Sequence, residues 1–362
     1  MKLIQASVLV ACVVVVWPGA AAAQAPAWVH ELADEIAETV EQQADQIARF
    51  IEQRLEAQQA RRQARGRGPE FTEQVSKTVR LGRTGTFDLQ NVSGDIVITG
   101  GGGDDVRLEA TKRVRHPNES EARSLLSGIT IRIQDRSGRV EVRTDYPRRR
   151  NWSGGVDYSV SVPRDASVTV RSVSGTVRVT SVNGELRTES VSGDVVVSKV
   201  RRVRLVKTLS GNVEISDSEA EELTTGSVSG DIVIRTLKAS GLDAQAVSSA
   251  LRLTDVVANH ASLRTVSGDI DYSGRLLRNG RYQFQSHSGD VRVAPADARG
   301  FAIEATTFSG DVRSDYALTL QGTPGSAPGR GRRERSIRGT FGDAGATLTL
   351  QSFSGDIVLS RR

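Results

Sequence analysis

Cysteine is nearly absent from this chain: one residue, Cys12, in 362. A disulfide scaffold is therefore excluded. Aromatic residues make up only 4%, with three Trp, so aliphatic side chains must supply any core. The chain has four His, namely His30, His116, His260 and His287. No two have close metal-ligand spacing, and Cys is not there to help them. Charge of one sign is also missing: 48 basic residues against 43 acidic leave +5. A multi-pass membrane protein would need far more apolar sequence. Collagen is excluded because Gly has no three-residue period. With 25% charged and 38% apolar residues, the composition is not that of a disordered chain. Gly, by contrast, is plentiful at 35 residues, above the usual ~7%. A Val-rich chain punctuated by Gly suggests many short strands.

The main apolar run stands at the start. Lys2 gives a positive region, Leu3 to Trp17 are largely apolar, and Ala21-Ala22-Ala23 offers small residues for cleavage. Residues 1–23 read as a secretory signal peptide cut near Ala23. The run is shorter than the ~20 residues of a membrane span. Leu9-Val10-Ala11-Cys12 superficially fits a lipoprotein cleavage box. The apolar run continues through Val16, however, and only eleven residues precede Cys12, so lipidation is disfavoured. Cleavage would leave no Cys, removing thiol catalysis and thiolate metal sites.

Residues 24–68 read as an amphipathic helix over 27–65 and a basic linker. Leu32, Ile36, Val40, Ile47, Ile51 and Leu55 form one helical stripe. Pro26 suits its entrance, and Gly66, Gly68 and Pro69 stop it. The mean step is about 3.7, which argues against a left-handed coiled coil. Two readings stay open: self-association through this helix, or packing on its own protein. Arg61, Arg62, Arg65 and Arg67 read as solvated linker.

The internal repeat decides the architecture. Ser-Gly-Asp recurs around Gly94, Gly193, Gly230, Gly268, Gly289, Gly310 and Gly355, with variants around Gly175, Gly184 and Gly211. Val247-Ser248-Ser249-Ala250 is a degenerate copy. From Gly175 the spacing runs 18, 18, 19, 19, 19, 21 and 21. Aligned on the glycine, three apolar columns emerge. Two before it stand Val173, Val191, Leu209, Val228, Val247, Val266, His287, Phe308 and Phe353. Two after it stand Val177, Val195, Val213, Ile232, Leu251, Ile270, Val291, Val312 and Ile357. Four after it stand Val179, Val197, Ile215, Ile234, Leu253, Tyr272, Val293 and Leu359. Period-two alternation of β-branched residues is a strand with one buried face. Constant coil length with one residue class per column means coils stacked at ~4.8 Å. The fold class is all-β: a parallel β-solenoid, or β-helix, of ~18–21-residue coils, right-handed winding favoured, preceded by the long N-terminal helix.

In this picture the triplet turns a corner. Gly supplies φ > 0, and Ser and Asp accept local backbone N–H bonds. The competing reading makes a calcium-binding ladder of Asp194, Asp231, Asp269, Asp290, Asp311 and Asp356. Thr176, Asn212 and Ala250 break that column, and neighbouring Arg supply countercharge, so the corner reading is preferred. His287, in an apolar column, reads as a half-buried ring beside Phe308.

Residues 70–170 form a less regular part of the solenoid, and 171–362 the regular part. The first holds one copy around Gly94, a turn at Gly100–Gly103, a helix opened by Asn118 and closed near Gly128, and two strand-like runs at 129–134 and 140–144. A Gly/Pro/Arg loop spans 321–336.

These columns, with Glu109-Ala110-Thr111-Lys112-Arg113, Val160-Ser161-Val162-Pro163 and Phe353-Ser354-Gly355-Asp356-Ile357, resemble the bacterial DUF4097 family of candidate adhesins. The likeness covers roughly residues 75–362. It implies a β-solenoid in an exported protein, periplasmic or at the cell surface. It implies no catalytic residues and no cofactor.

No Gly-x-Ser-x-Gly elbow or phosphate-binding Gly-Lys-Ser/Thr motif is present. The expectation is a non-enzymatic envelope adhesin or scaffold with repetitive binding faces. Its partners would be envelope polysaccharide or surface proteins. The alternative is a carbohydrate-active β-helix enzyme acting on anionic polysaccharide, with Asp290 and Asp311 as the residues to test. Arg148-Arg149-Arg150 and the Arg330–Arg338 cluster suit anionic polymers. Interleaved acids and export argue against nucleic acid.

Overall fold

The computed structural model describes residues 69–147, 152–297, 299–320 and 335–361. The signal-peptide segment, the helix expected at 27–65, Arg148–Arg150 and most of the loop at 321–336 lie outside the described residues. Arg335 and Ser336, expected in that loop, instead begin the strand Arg335–Gly342. The chain divides into two compact units, Met1–Gln53 and Arg54–Arg362, and every described residue lies in the second.

Among the described residues, 23 strands join one continuous open sheet, with a single helix. Alternation shows directly in the burial. In Val195–Ser198 and Val177–Thr180, the first and third residues are buried and the second is not. In the regular coils each strand pairs in parallel with its copy one coil away, so Val195 lies beside Val177 and Val213. The row continues through Ile232, Leu251, Ile270 and Val291. Every member of that row is fully buried. A buried aliphatic side chain contributes about 1.5–3 kcal/mol, but one coil alone leaves both its edges wet. Only stacking makes the core continuous.

Each coil has three walls. One strand precedes the triplet corner, one follows it, and a short third wall closes the section through Val182, Val200, Ser218, Leu237 and Val256, all buried. Between the second and third walls stands a non-glycine residue in the left-handed region: Ser181, Lys199, Asp217, Thr236 and Asp255, with φ of 48–61°. This column carries no glycine, so the glycine alignment does not reveal it.

The column two before the glycine differs from expectation. Period-two pairing with the buried rows turns it outward. Val173 and Val191 are buried without joining the core cluster, and Leu209 through Phe308 are half-buried. The inward position is one residue earlier, occupied by Asn91, Ser172, Ser190, Thr208, Ser227, Ala246, Thr265, Ser286, Ser352 and Thr307, each buried. Six of their hydroxyls reach the corner carbonyls. Thr208 donates to Gly193, Ser227 to Gly211, Thr265 to Ser249, Ser286 to Gly268, Ser352 to Gly289 and Thr307 to Gly355, at 2.9–3.3 Å. A corner carbonyl facing the interior needs a donor, which explains polar residues in an aliphatic core.

Stacking order also departs from chain order at both ends. Constant spacing predicts that the coil of Gly310 rests on that of Gly289. Instead, the strand Ala346–Ser354 pairs with Ile270–Ser288 on one side and with Gly300–Ser309 on the other. The last coil in sequence is thus next to last in space. The strand Arg335–Gly342 runs antiparallel along Gly300–Ser309 and closes that wall.

At the other end, Thr86–Ser93 lies between Ser167–Ser174 and Arg139–Asp145. The intervening segment folds onto the outer side of this first coil. There Asp105–Arg115 runs antiparallel to both Glu70–Arg80 and Ser153–Pro163. The helix Glu119–Gly128 buries Ala122, Leu125 and Leu126, and the Asn118 side chain caps it by accepting from Ser120 and Glu121 N–H. The two runs expected next form the antiparallel pair Thr130–Arg136 and Arg139–Asp145.

Candidate functional site

The repeated corner is where the chain concentrates its polar side chains. Glycine is required there by close approach more than by φ. Gly94, Gly175, Gly230 and Gly289 have φ between 120 and 152°, but the other corner glycines do not share it. What the stacked ones share is a carbonyl from the coil beneath. A Cβ on Gly175, Gly193, Gly211, Gly230, Gly268, Gly289, Gly355 or Gly310 would stand 2.0–2.3 Å from that oxygen. Gly184 belongs to a different corner, over Ala166. In the degenerate copy Ser249 takes the glycine place, and its hydroxyl accepts from Gly230 N–H at 3.0 Å.

The aspartates form a ladder running along the stack. Each Oδ1 accepts the backbone N–H of the same position one coil on. Asp95 accepts from Thr176, Asp194 from Asn212, Asp231 from Ala250, Asp269 from Asp290, Asp290 from Asp356 and Asp356 from Asp311. Asn212 accepts likewise from Asp231, and these bonds span 2.8–3.1 Å. The bond is therefore between coils, where local turn chemistry was expected. Asp311, at the end of the ladder, pairs with Arg335.

The outer oxygens meet guanidinium groups. Arg252 pairs with Asp231 at 2.5 Å. Arg292 reaches Asp269, Asp271 and Asp290, and Arg313 reaches Asp311 and Asp356. The Arg252 hydrogen bond holds the Asp231 carboxyl below the usual range. At Asp269 burial works to raise it, but the Asp290 N–H and Arg292 outweigh this and the net shift is downward. Ionised, backbone-bonded carboxylates are poor general acids, which need a raised pKa.

Beside the corner, the outward apolar column becomes aromatic towards its end. His287 stacks on Phe353 at 4.8 Å, and Phe353 on Phe308 at 4.9 Å with rings 3° from parallel. These distances are the coil spacing itself. Burial holds the His287 pKa below its usual value. On the same wall Gln285 donates to Gln351 at 3.0 Å. An aromatic stripe, an amide ladder and a row of Asp–Arg pairs thus lie side by side. Sequence reading named the rings but placed them in the core. The Gln ladder was missed, because Gln285 and Gln351 are 66 residues apart and only the displaced last coil brings them together.

The other histidines lie elsewhere. His116 contacts Glu121 at 3.1 Å, and His260 contacts Glu222 at 3.3 Å. His30 lies outside the described residues. Among the described residues no group of three His, Cys, Asp or Glu side chains is arranged to hold a metal ion.

The family pattern named Toastrack DUF4097 matches residues 85–360. This chain belongs to that family. No curated protein matches it. Among solved structures, it is similar to a candidate adhesin from Parabacteroides merdae (10% identity, TM-score 0.43, 80% of this chain and 97% of that one). A candidate lipid-binding protein from Parabacteroides distasonis gives 12% identity and TM-score 0.43 over the same shares. A candidate adhesin from Bacteroides fragilis gives 11% and 0.39, again over 80% and 97%.

Proposed function

We propose that this DUF4097 protein is an exported, non-enzymatic component of the cell envelope that binds anionic polysaccharide along its outer columns. The observation that carries this reading is the state of the corner carboxylates. The Oδ1 atoms of Asp269, Asp290 and Asp356 are each already bonded to the backbone of the next coil. Their other oxygens face Arg292 and Arg313. An acidic residue engaged in holding the fold is not free to shuttle protons. What the wall offers a ligand is repetition: stacked aromatic edges at ~4.8 Å intervals and, on every second coil, the guanidinium groups of Arg252, Arg292 and Arg313. Such a surface suits a polymer, whose repeating units multiply weak contacts.

The test is to incubate the purified protein with a panel of acidic and neutral polysaccharides. Binding is read by calorimetry, and new reducing or unsaturated ends by colorimetry. The expected result is binding to acidic polymers that weakens with added salt, and no new ends. Turnover that disappears in Asp290→Asn or Asp311→Asn would establish a polysaccharide-cleaving enzyme instead.

A further inference from the structure

Among the described residues one wall of the stack ends in the strand Glu70–Arg80. This strand has 11 residues and pairs on one side only, with Asp105–Arg115. Among the described residues no strand lies against its other edge. Phe71, Val75 and Val79 pack on the core yet remain partly uncovered, and the other eight residues are exposed. An open edge of this length is a template for another strand.

Its sequence, Glu-Phe-Thr-Glu-Gln-Val-Ser-Lys-Thr-Val-Arg, is complementary to its own reverse. An antiparallel pair of two such strands centred on Val75 sets Glu70 opposite Arg80 and Glu73 opposite Lys77. It also sets Phe71 opposite Val79, Thr72 opposite Thr78, and Val75 opposite itself. Apart from Gln74 opposite Ser76, which are both polar and uncharged, every cross-strand pair is then of a favourable kind: opposite charges, Thr with Thr, or apolar with apolar. An edge charged to repel other strands would carry one sign, or charges that clash in this register. We infer that Glu70–Arg80 pairs with the same strand of a second copy, joining two solenoids end to end about a twofold axis through Val75.

The arrangement is isologous, as closed dimers usually are. It extends a main-chain ladder over ~37 Å. It also covers Phe71, Val75 and Val79 of each copy with the same residues of the other. Glu73 already contacts Lys112 at 2.9 Å and Glu70 contacts Arg115 at 2.7 Å. Each carboxylate would then sit between two cations. Lys77 and Arg80 are exposed, so the pairing gives both a counterion.

The test uses the full chain with Cys12→Ser, so that introduced cysteines are the only ones. Sedimentation should show a dimer at micromolar concentration. Lys77→Glu sets carboxylates opposite each other twice per dimer and should weaken association roughly tenfold, with circular dichroism unchanged. Under mild oxidation Val75→Cys should crosslink two copies, because the residue opposes itself. Thr78→Cys should not, because its two copies would lie ~20 Å apart. A monomer at all concentrations would overturn the inference. So would a dimer indifferent to Lys77→Glu, or crosslinking through Thr78→Cys in place of Val75→Cys.

Discussion

Replacing Asp290 with Ala removes one rung of the corner ladder, and its cost follows from the geometry. The carboxyl accepts the Asp356 N–H at 2.9 Å and meets Arg292 at 2.5 Å. Losing an acceptor at a half-buried backbone N–H costs about 1.5 kcal/mol. The ion pair adds at most a few tenths, because both side chains are well exposed and screened. Asp290→Asn keeps an amide oxygen in place. Asn212 already fills this role in the natural ladder, accepting from Asp231 at 3.0 Å. The Asn variant should therefore lose less than about 0.5 kcal/mol. Nearest-neighbour coupling makes a solenoid open locally, so hydrogen exchange at the Asp356 amide is the sensitive readout. It should quicken roughly tenfold in the Ala variant and little in the Asn variant. If Asn costs as much as Ala, the charge matters and not the acceptor, and the rung explanation fails. A calcium ladder would give that opposite pattern.

Three further outcomes come from the stack. Gly355→Ala would bring a Cβ to 2.2 Å from the Gly289 carbonyl, and should cost about 3 kcal/mol or more; an unchanged thermal melt would contradict the packing. Thr265→Val removes the hydroxyl bonded to Ser249 O at 3.2 Å and should cost about 1 kcal/mol, whereas Thr265→Ser keeps the donor and should melt near the parent. Burial lowers the His287 pKa from its usual 6.5, so the unfolded chain takes up that proton first. Stability is unaffected well above 6.5 and falls as the pH drops from there towards the lowered folded value. His287→Phe, matching its stacking partners, should flatten urea stability between pH 7 and 5; an equal slope in both proteins would refute this.

The two columns after the glycine, Val177 to Ile357 and Val179 to Leu359, were legible because burial there follows strand alternation everywhere but at the half-buried Val312. The column before it misled, because Val and Phe are strand formers whichever way they face. The informative signal was the Ser/Thr column beside it, in which the hydroxyls of Thr208, Ser227, Thr265, Ser286, Ser352 and Thr307 answer inward carbonyls. Ser-Gly-Asp lies between one strand and the next, as in Ser192-Gly193-Asp194. Its bonds run between coils, however, and a one-dimensional pattern cannot tell a neighbour in the chain from a neighbour in the stack. The same limit hid the order of the last two coils, and with it the Gln285–Gln351 contact. The corner between the second and third walls was invisible because Ser, Lys, Asp and Thr adopt the left-handed conformation there without a glycine to mark them.

The outer columns, and the binding surface proposed on them, depend on the last coil lying between its two predecessors. Paired cysteines at outward positions test this directly. Val358 is the register partner of both Arg292 and Arg313, so each pair should sit ~4.8 Å apart, within disulfide reach. In the Cys12→Ser background, Arg292→Cys with Val358→Cys, and Val358→Cys with Arg313→Cys, should each oxidise to an intramolecular disulfide. Arg292→Cys with Arg313→Cys, two coils apart, should not. Ready closure of the 292–313 pair, with failure of the other two, would show that the coils stack in chain order and contradict the account.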